Sequence, residues 1–325
     1  MRRREICKAI GAAFTILTMP GMAQPRLRRV AFVHPSGQAA YEPTLAVFRH
    51  QMRELGYREG VDLAIEVRFG NDRIKDLPEI AAAVVASGPD VIVTATSAGT
   101  AAFKKATSTI PVVFATAGDP VEQGFVASLQ RPGGNVTGVV VYGNLLARKI
   151  AEIARDAFPK AQRLALLVYT PDPASRVALE AFEPSARHFK FEPIVVRISG
   201  AGDLDRAFKE LAERKPDVVF AATLAFFNSH RYELAKRAQK ARMPLIGNDL
   251  RYAEAGALLS YGTSIDENYR RAAHMVDKIL RGARPAELPV EQPERFQLVV
   301  NRKTAKAIGI ELSPFTMLRA DRIID

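Results

Sequence analysis

The sequence predicts an α/β protein: two doubly wound parallel-sheet lobes with a ligand cleft between them. Three observations point there. Short apolar, strand-like runs alternate with stretches of helical spacing along most of the chain, the pattern of repeated β-α units. The pattern restarts near the middle, where "RLALLVYTPDPAS" (163–175) echoes "RRVAFVHPSG" (28–37) and "PDVVFAAT" (216–223) echoes "PDVIVTAT" (89–96). The strand-like runs are almost continuously apolar, as expected of parallel strands covered on both faces.

In order, "RRVAFVHP" (28–35) reads as a strand ended by Pro35, Ser36 and Gly37. "TLAVFRHQMRELG" (44–56) carries Leu45, Phe48, Met52 and Leu55 at helical spacing and stops at Gly56. "VDLAIEVRFG" (61–70) is the second strand, and "DLPEIAAAVVASG" (76–88) a helix with Pro78 in its first turn and Gly88 at its end. A third strand, "DVIVTAT" (90–96), leads into the helix "AGTAAFKKAT" (98–107), then the strand "IPVVFATAG" (110–118). "DPVEQGFVASLQRPGG" (119–134) is expected to be a fourth helix and its exit, and "NVTGVVVYG" (135–143) a further strand or crossover. The second half repeats the scheme, from the strand at 163 through helices at 176–189, 204–216 and 229–243 to "PLIGND" (244–249) and "RYAEAGALLSYG" (251–262).

The first residues stand apart from this pattern. Arg2, Arg3 and Arg4 precede an apolar stretch, "AIGAAFTILTM" (9–19), which is too short to span a bilayer. Pro20 and Gly21 break it, and Gly21-Met22-Ala23 ends in a small residue. Residues 1–23 are therefore expected to be a signal peptide cleaved near Ala23, giving an exported, periplasmic product. The alternative is a buried N-terminal helix. "RRREICK" matches a twin-arginine signal only loosely, and Cys7 lies ahead of the apolar stretch, where it cannot serve as a lipoprotein cysteine.

Composition excludes several function classes. Of 325 residues, 48% are hydrophobic and 25% charged, ordinary for a globular protein. Cys7 is the one cysteine, which excludes intrachain disulfides and thiolate metal sites. The histidines (34, 50, 188, 230 and 274) have no metal-binding spacing, so neither a metal nor any other cofactor is expected. Without residues 1–23 the chain keeps 42 basic and 34 acidic residues, a surplus of 8 positive charges. These are spread along solvated helix faces, so nucleic acid is not an expected partner. No later stretch is long and apolar enough to span a membrane.

An open parallel sheet binds ligands at the C-terminal ends of its strands. Those ends are 34–38, 94–99 and 115–120 in the first half and 169–174, 222–227 and 247–250 in the second. If Thr96 or Ser97 caps the following helix, the N–H groups of Ala98, Gly99 and Thr100 offer an anion site. An ordinary N-cap explains the same residues. Asp119, Asp172 and Asp249 end corresponding turns, where each could cap a helix or accept a ligand amine. Tyr41, Tyr169, Phe226 and Phe227 could stack on a ring or simply pack. There is no P-loop and no G-x-S-x-G; Gly133 and Gly134 suit a turn or hinge. Ser36 or Ser97 with His34 and Asp119 would need three turns to converge for hydrolysis, so the chain is not expected to be an enzyme.

"IPVVFATAGDPVEQGFVASLQRPGGNVTGV" (110–139) resembles the stretch that marks the ABC transporter substrate-binding proteins related to the tryptophan/tyrosine-binding proteins. The run from "AEAGALLSYG" to "KTAKAIGI" (253–310) resembles the same family's C-terminal signature. The resemblance implies a type I periplasmic-binding-protein fold with three crossovers. It implies an N-terminal lobe of 28–139 plus 264–295 and a C-terminal lobe of 140–263 plus 296–325. Ligand contacts carried over by position fall on Ser36, Thr96, Ser97, Ala98, Thr116 and Asp119 in the first lobe. In the second they fall on Tyr169, Asp172, Thr223 and Asp249. The chain departs from the family in having "YTPDPAS" where an asparagine is common, and "ATLAFFN" where aromatic-amino-acid binders often carry an aspartate. The resemblance implies a periplasmic solute-binding component of an ABC importer that takes an amino acid or an aromatic or carboxylate compound by hinge closure. The permease and ATPase subunits would be separate chains. The alternative is an extracytoplasmic ligand-sensing accessory of a membrane histidine kinase.

Overall fold

The computed structural model describes residues 26–325 except 142, 223 and 294, with backbone only for 143–145. The expected signal peptide, 1–23, lies outside the described residues. The first sheet contains β1 (Arg28–His34), β2 (Leu63–Phe69), β3 (Val91–Thr94), β4 (Val112–Ala117) and β5 (Val136–Val140), all parallel, in the order β2-β1-β3-β4-β5. Between them run α1 (Gln38–Glu54), α2 (Leu77–Ser87) and α3 (Thr96–Ala106).

Strand alternation splits the first core in two. Val30 and Phe32 face Phe48 and Met52 on one side, while Ala31 and Val33 face Ala81, Val84 and Phe103 on the other. Both faces are covered, so the strand residues can be apolar without interruption. Gly88 ends α2 at φ +65, a conformation that glycine adopts without a Cβ clash.

The second sheet draws on β6 (Arg163–Tyr169), β7 (Glu192–Ile198), β8 (Val218–Ala221), β9 (Leu245–Asp249), β10 (Leu259–Thr263), β11 (Gln297–Asn301) and β12 (Arg322–Ile324). Their order is β12-β11-β10-β9-β8-β6-β7. The pairing is parallel apart from β10 against β11. Its helices are α4 (Gly143–Ala157), α5 (Ala174–His188), α6 (Leu204–Arg214), α7 (Ala225–Ser229), α8 (Arg231–Lys240) and α9 (Arg251–Glu254). α10 (Ile265–Leu280) follows β10 but packs on the first sheet, where Tyr269, Ala272 and Val276 join the Phe32 side of the core. α11 (Arg302–Ile308) and α12 (Pro314–Arg319) return to the second lobe, where Ile308 and Met317 pack on its core.

Two segments differ from the sequence reading. Residues 119–134 form turns instead of a helix. Gly124 adopts φ +68, the Phe125 N–H donates to the Pro120 carbonyl, and Lys104 Nζ donates to the carbonyls of Gly124 and Phe125. In contrast, 143–157 is a full helix, α4, that the reading passed over; Ile150, Ile153 and Ala154 bury its inner face.

Candidate functional site

The C-terminal ends of both sheets meet across a cleft. β3 delivers the chain to α3 through Ala95 in extended conformation and then Thr96 at φ +64. This left-handed conformation is a genuine outlier for a β-branched residue. Local hydrogen bonds hold it. The Thr96 N–H donates to Thr116 Oγ1 at 3.3 Å, Thr96 Oγ1 accepts from the Gly99 N–H at 3.3 Å, and Thr100 Oγ1 donates to the Thr96 carbonyl at 2.8 Å. Thr96 therefore caps the helix. Ser97 does not: its Oγ accepts from the Gly118 N–H at 3.2 Å and ties α3 to the turn after β4. Gly99 lets the turn pack closely on β3: a Cβ here would lie 2.6 Å from Thr94 Oγ1 and force that side chain to shift.

The larger of two chambers in the cleft contains about 710 Å³ of space, including its open mouth. The first lobe contributes Thr96, Ser97, Gly118, Asp119 and Gln123. The facing lobe contributes Asp172, Val177, Ala178, Phe220 and Leu224. Asp119 Oδ1 accepts from the N–H groups of Val121 and Glu122, both at 3.0 Å, so it organises a turn rather than a helix. Asp172 is 3% exposed, and its Oδ1 accepts from the Ala174 N–H at 2.9 Å. Burial raises its carboxyl above the ordinary aspartate value of 3.8, and the Ala174 hydrogen bond offsets only part of that rise.

A smaller chamber of about 460 Å³ shares Thr96, Val141, Leu224 and Ala225 with the first and adds Thr116 and Tyr41. Among the described residues, neither lining contains a lysine, arginine or histidine. For a negative group the described linings therefore offer N–H groups, hydroxyls and side-chain amides but no cationic side chain, while for a positive group they offer the carboxylates of Asp119 and Asp172.

The structure brings Thr96, Ser97, Asp119 and Asp172 to the larger chamber, and Thr96 and Thr116 to the smaller. Ser36, Ala98, Tyr169 and Asp249 line neither, and Thr223 lies outside the described residues. Ser36 is buried beside His34, donating its N–H to His34 Nδ1 at 3.0 Å. Burial holds the His34 imidazole well below 6.5, so it is neutral, with the proton on Nε2. Asp249 is committed to Arg251, whose Nε reaches both of its oxygens at 3.2 and 3.0 Å. Arg251 Nη1 then donates to Thr44 Oγ1 of the first lobe at 3.4 Å. Tyr169 stacks on Phe226 with ring centroids 4.1 Å apart.

The sequence reading missed Gln123, Val141, Val177 and Asn228 as lining residues, and placed Asn248 on the cleft within 247–250 without singling it out. Asn228 and Asn248 do end the runs "AFFN" and "GN", and a polar residue closing an apolar run is a signal for a buried polar contact.

Comparison with known proteins agrees with this architecture. A tyrosine-binding protein from Clostridioides difficile is 25% identical over 264 residues, 81% of this chain and 76% of that protein. A Vibrio cholerae conserved domain protein superimposes with a TM-score of 0.85 at 25% identity, covering 92% of this chain and all of that one. The L-Trp complex of an ABC domain from Streptococcus pneumonia gives 0.83 at 20% identity, again over 92% of this chain and all of that one. A ligand-free, open substrate-binding protein from Clostridium difficile gives 0.65 at 22% identity, over 92% of this chain and 99% of that one. The family described as "ABC transporter substrate binding protein" matches residues 30–324, and the chain belongs to that family of solute-binding, non-enzymatic proteins.

Proposed function

We propose that this substrate-binding protein works in the periplasm and captures an amino acid, or a related small compound bearing an ammonium group, between its lobes. It presents the closed form to permease and ATPase subunits carried on separate chains. The observation that carries the ligand class is Asp172, a buried carboxylate on a chamber whose described lining holds no cationic side chain. A ligand ammonium supplies the missing charge, and the N–H groups and hydroxyls near Thr96 and Ser97 receive a carboxylate. The names of the tyrosine-binding and tryptophan-bound relatives support the same class. The periplasmic setting is supported by the basic-then-apolar residues at 2–19.

Closure is the working step. Contacts from both lobes favour the closed state, and a ligand touching both adds its binding energy to that state alone. Direct bonds between the lobes, and the closer match to the tryptophan-bound relative than to the open one, support reading this structure as the closed form.

The test is a thermal-shift screen of residues 24–325 against amino acids, their decarboxylated amines and their deaminated acids. Binding raises the melting temperature by mass action, by about 2.7 kcal/mol of stability at a hundred times Kd. Shifts confined to compounds with an ammonium group are expected. Shifts confined to the deaminated acids would overturn the ligand class, and none across a broad metabolite set would overturn solute capture.

A further inference from the structure

Much of the positive surplus is scattered, but four lysines gather on one face of the second lobe. α8 and α11 pack side by side, and Gln239 Nε2 of α8 donates to Thr304 Oγ1 of α11 at 3.4 Å. Leu234, Ala235 and Ala238 bury the inner side of α8, and Thr304, Ala305 and Ile308 bury that of α11. The outer sides carry Lys236 and Lys240, one turn apart, and Lys303 and Lys306, also one turn apart, all exposed. Like charges at these spacings repel one another along a helix.

Among the described residues none of the four lysines has a hydrogen-bond or ion-pair partner. The neighbouring acids are engaged elsewhere: Glu233 and Asp205 with Arg237, Glu254 with Arg322, and Asp325 with Arg302. Glu311, beyond the end of α11, lines a separate groove with Arg242. A lysine ammonium is a hydrated point charge on a flexible stem, suited to a fluid array of negative charge. Specific protein interfaces are instead depleted in lysine and built around arginine and aromatic anchors. Tyr232, 61% exposed and one turn before Lys236, adds a phenol of the kind that settles among lipid headgroups. No described residue of α8 or α11 lines either ligand chamber, so this face and the cleft are separate.

We propose that the α8–α11 face is a docking surface for an anionic phospholipid bilayer, held by Lys236, Lys240, Lys303 and Lys306 and released by salt. The association is peripheral: each lysine is worth about fivefold in partitioning at an anionic surface, and the attraction is screened beyond about 10 Å at 0.1 M salt. Docking keeps the protein beside a membrane whatever solute it carries, so it goes beyond solute capture and does not depend on it.

The test is co-sedimentation of residues 24–325, which include both sheets and every described helix, with phosphatidylcholine vesicles containing or lacking about a third phosphatidylglycerol. Binding to the anionic vesicles alone is expected, falling about tenfold or more between about 0.05 and about 0.3 M salt. Changing Lys236, Lys240, Lys303 and Lys306 together to Glu should abolish it. Changing Lys75, Lys105, Lys160 and Lys278 to Glu, all exposed and elsewhere on the surface, alters the net charge equally and should leave binding about tenfold or more above that of the first variant. Circular dichroism checks folding, and four Lys→Gln changes replace the first set if it does not fold. Equal losses in the two variants would assign the binding to net charge and overturn the surface. So would no binding to anionic vesicles at the lower salt, or equal binding to neutral ones. Retention of poly-L-glutamate without vesicle binding would assign the face to an acidic protein and overturn the proposal as well.

Discussion

The Tyr169 hydroxyl donates to the Asp72 carbonyl oxygen at 3.1 Å, a direct bond from the end of β6 in the second lobe to the loop after β2 in the first. Asn71 and Asp72 adopt φ +51 and +61, which turns that loop toward the cleft. Ser229 Oγ reaches Asp72 Oδ1 at 3.5 Å, and His230 Nε2 lies 3.6 Å from Asp72 Oδ2. These contacts exist only while the lobes are together. Tyr169→Phe removes one hydrogen bond of about 0.5–1.5 kcal/mol from the closed state alone. Ligand affinity should fall by about two- to tenfold, with the unliganded melting temperature nearly unchanged; calorimetry and thermal melts together check this.

Asp172→Asn keeps an oxygen for the Ala174 N–H and removes the charge. Affinity for an ammonium ligand should drop by about tenfold or more, the loss of a charge-assisted hydrogen bond. The unliganded protein should melt no lower than wild type, because a buried carboxylate costs free energy to hold. Parallel melts and titrations of the two proteins separate these effects.

Burial places the Asp172 carboxyl above 3.8 in the unliganded protein, and a bound ammonium would pull it down. Binding at a pH where part of Asp172 is protonated must therefore release protons, and affinity must fall as pH drops through the raised value. The decline should begin above the pH at which an ordinary aspartate would protonate. Titration in buffers of different ionisation enthalpy measures the released proton directly, and Asp172→Asn should abolish it.

Thr96→Gly relieves a left-handed threonine, a conformation that costs an L-residue about 1–2 kcal/mol, and sacrifices a cap that glycine replaces at a few tenths. The variant should melt at or above the wild-type temperature yet bind ligand more weakly, having lost a hydroxyl and the rigidity of the turn. A melting temperature and an affinity that fall together would show that the strain is not held for binding.

His34 is neutral in the fold and ordinarily titrates near 6.5 when exposed. Its folded value is depressed, so the unfolded chain takes up a proton first as pH falls. The stability tied to it is fully present above about 6.5 and is lost progressively toward the depressed value. Melting temperature followed from pH 8 to 5 should decline less steeply in His34→Phe, which keeps a ring against Tyr41 but cannot titrate.

The strands and the turns after them were legible because parallel strands buried on both faces leave unbroken apolar runs such as "VIVT" and "VVFA". The turn residues Thr96, Ser97, Asp119 and Asp172 could be placed on the cleft for the same reason. Helical spacing misled at 119–134, where Phe125, Val126 and Leu129 are periodic but Gly124 turns the chain at φ +68, outside the helical region. It was present and overlooked in α4, where Leu146, Ile150, Ile153 and Ala157 are buried. The smaller chamber was hidden for another reason. Tyr41 and Asn228 meet only when α1 of one lobe faces α7 of the other, and no local pattern encodes that approach.

The most direct measurement of the central claim is small-angle X-ray scattering of residues 24–325, alone and saturated with the compound that most raises the melting temperature. Capture by closure predicts a smaller radius of gyration with ligand in the wild-type protein, and no contraction in Asp172→Asn at the same ligand concentration. A bound ligand that leaves the wild-type radius unchanged, or contracts both proteins alike, would contradict it.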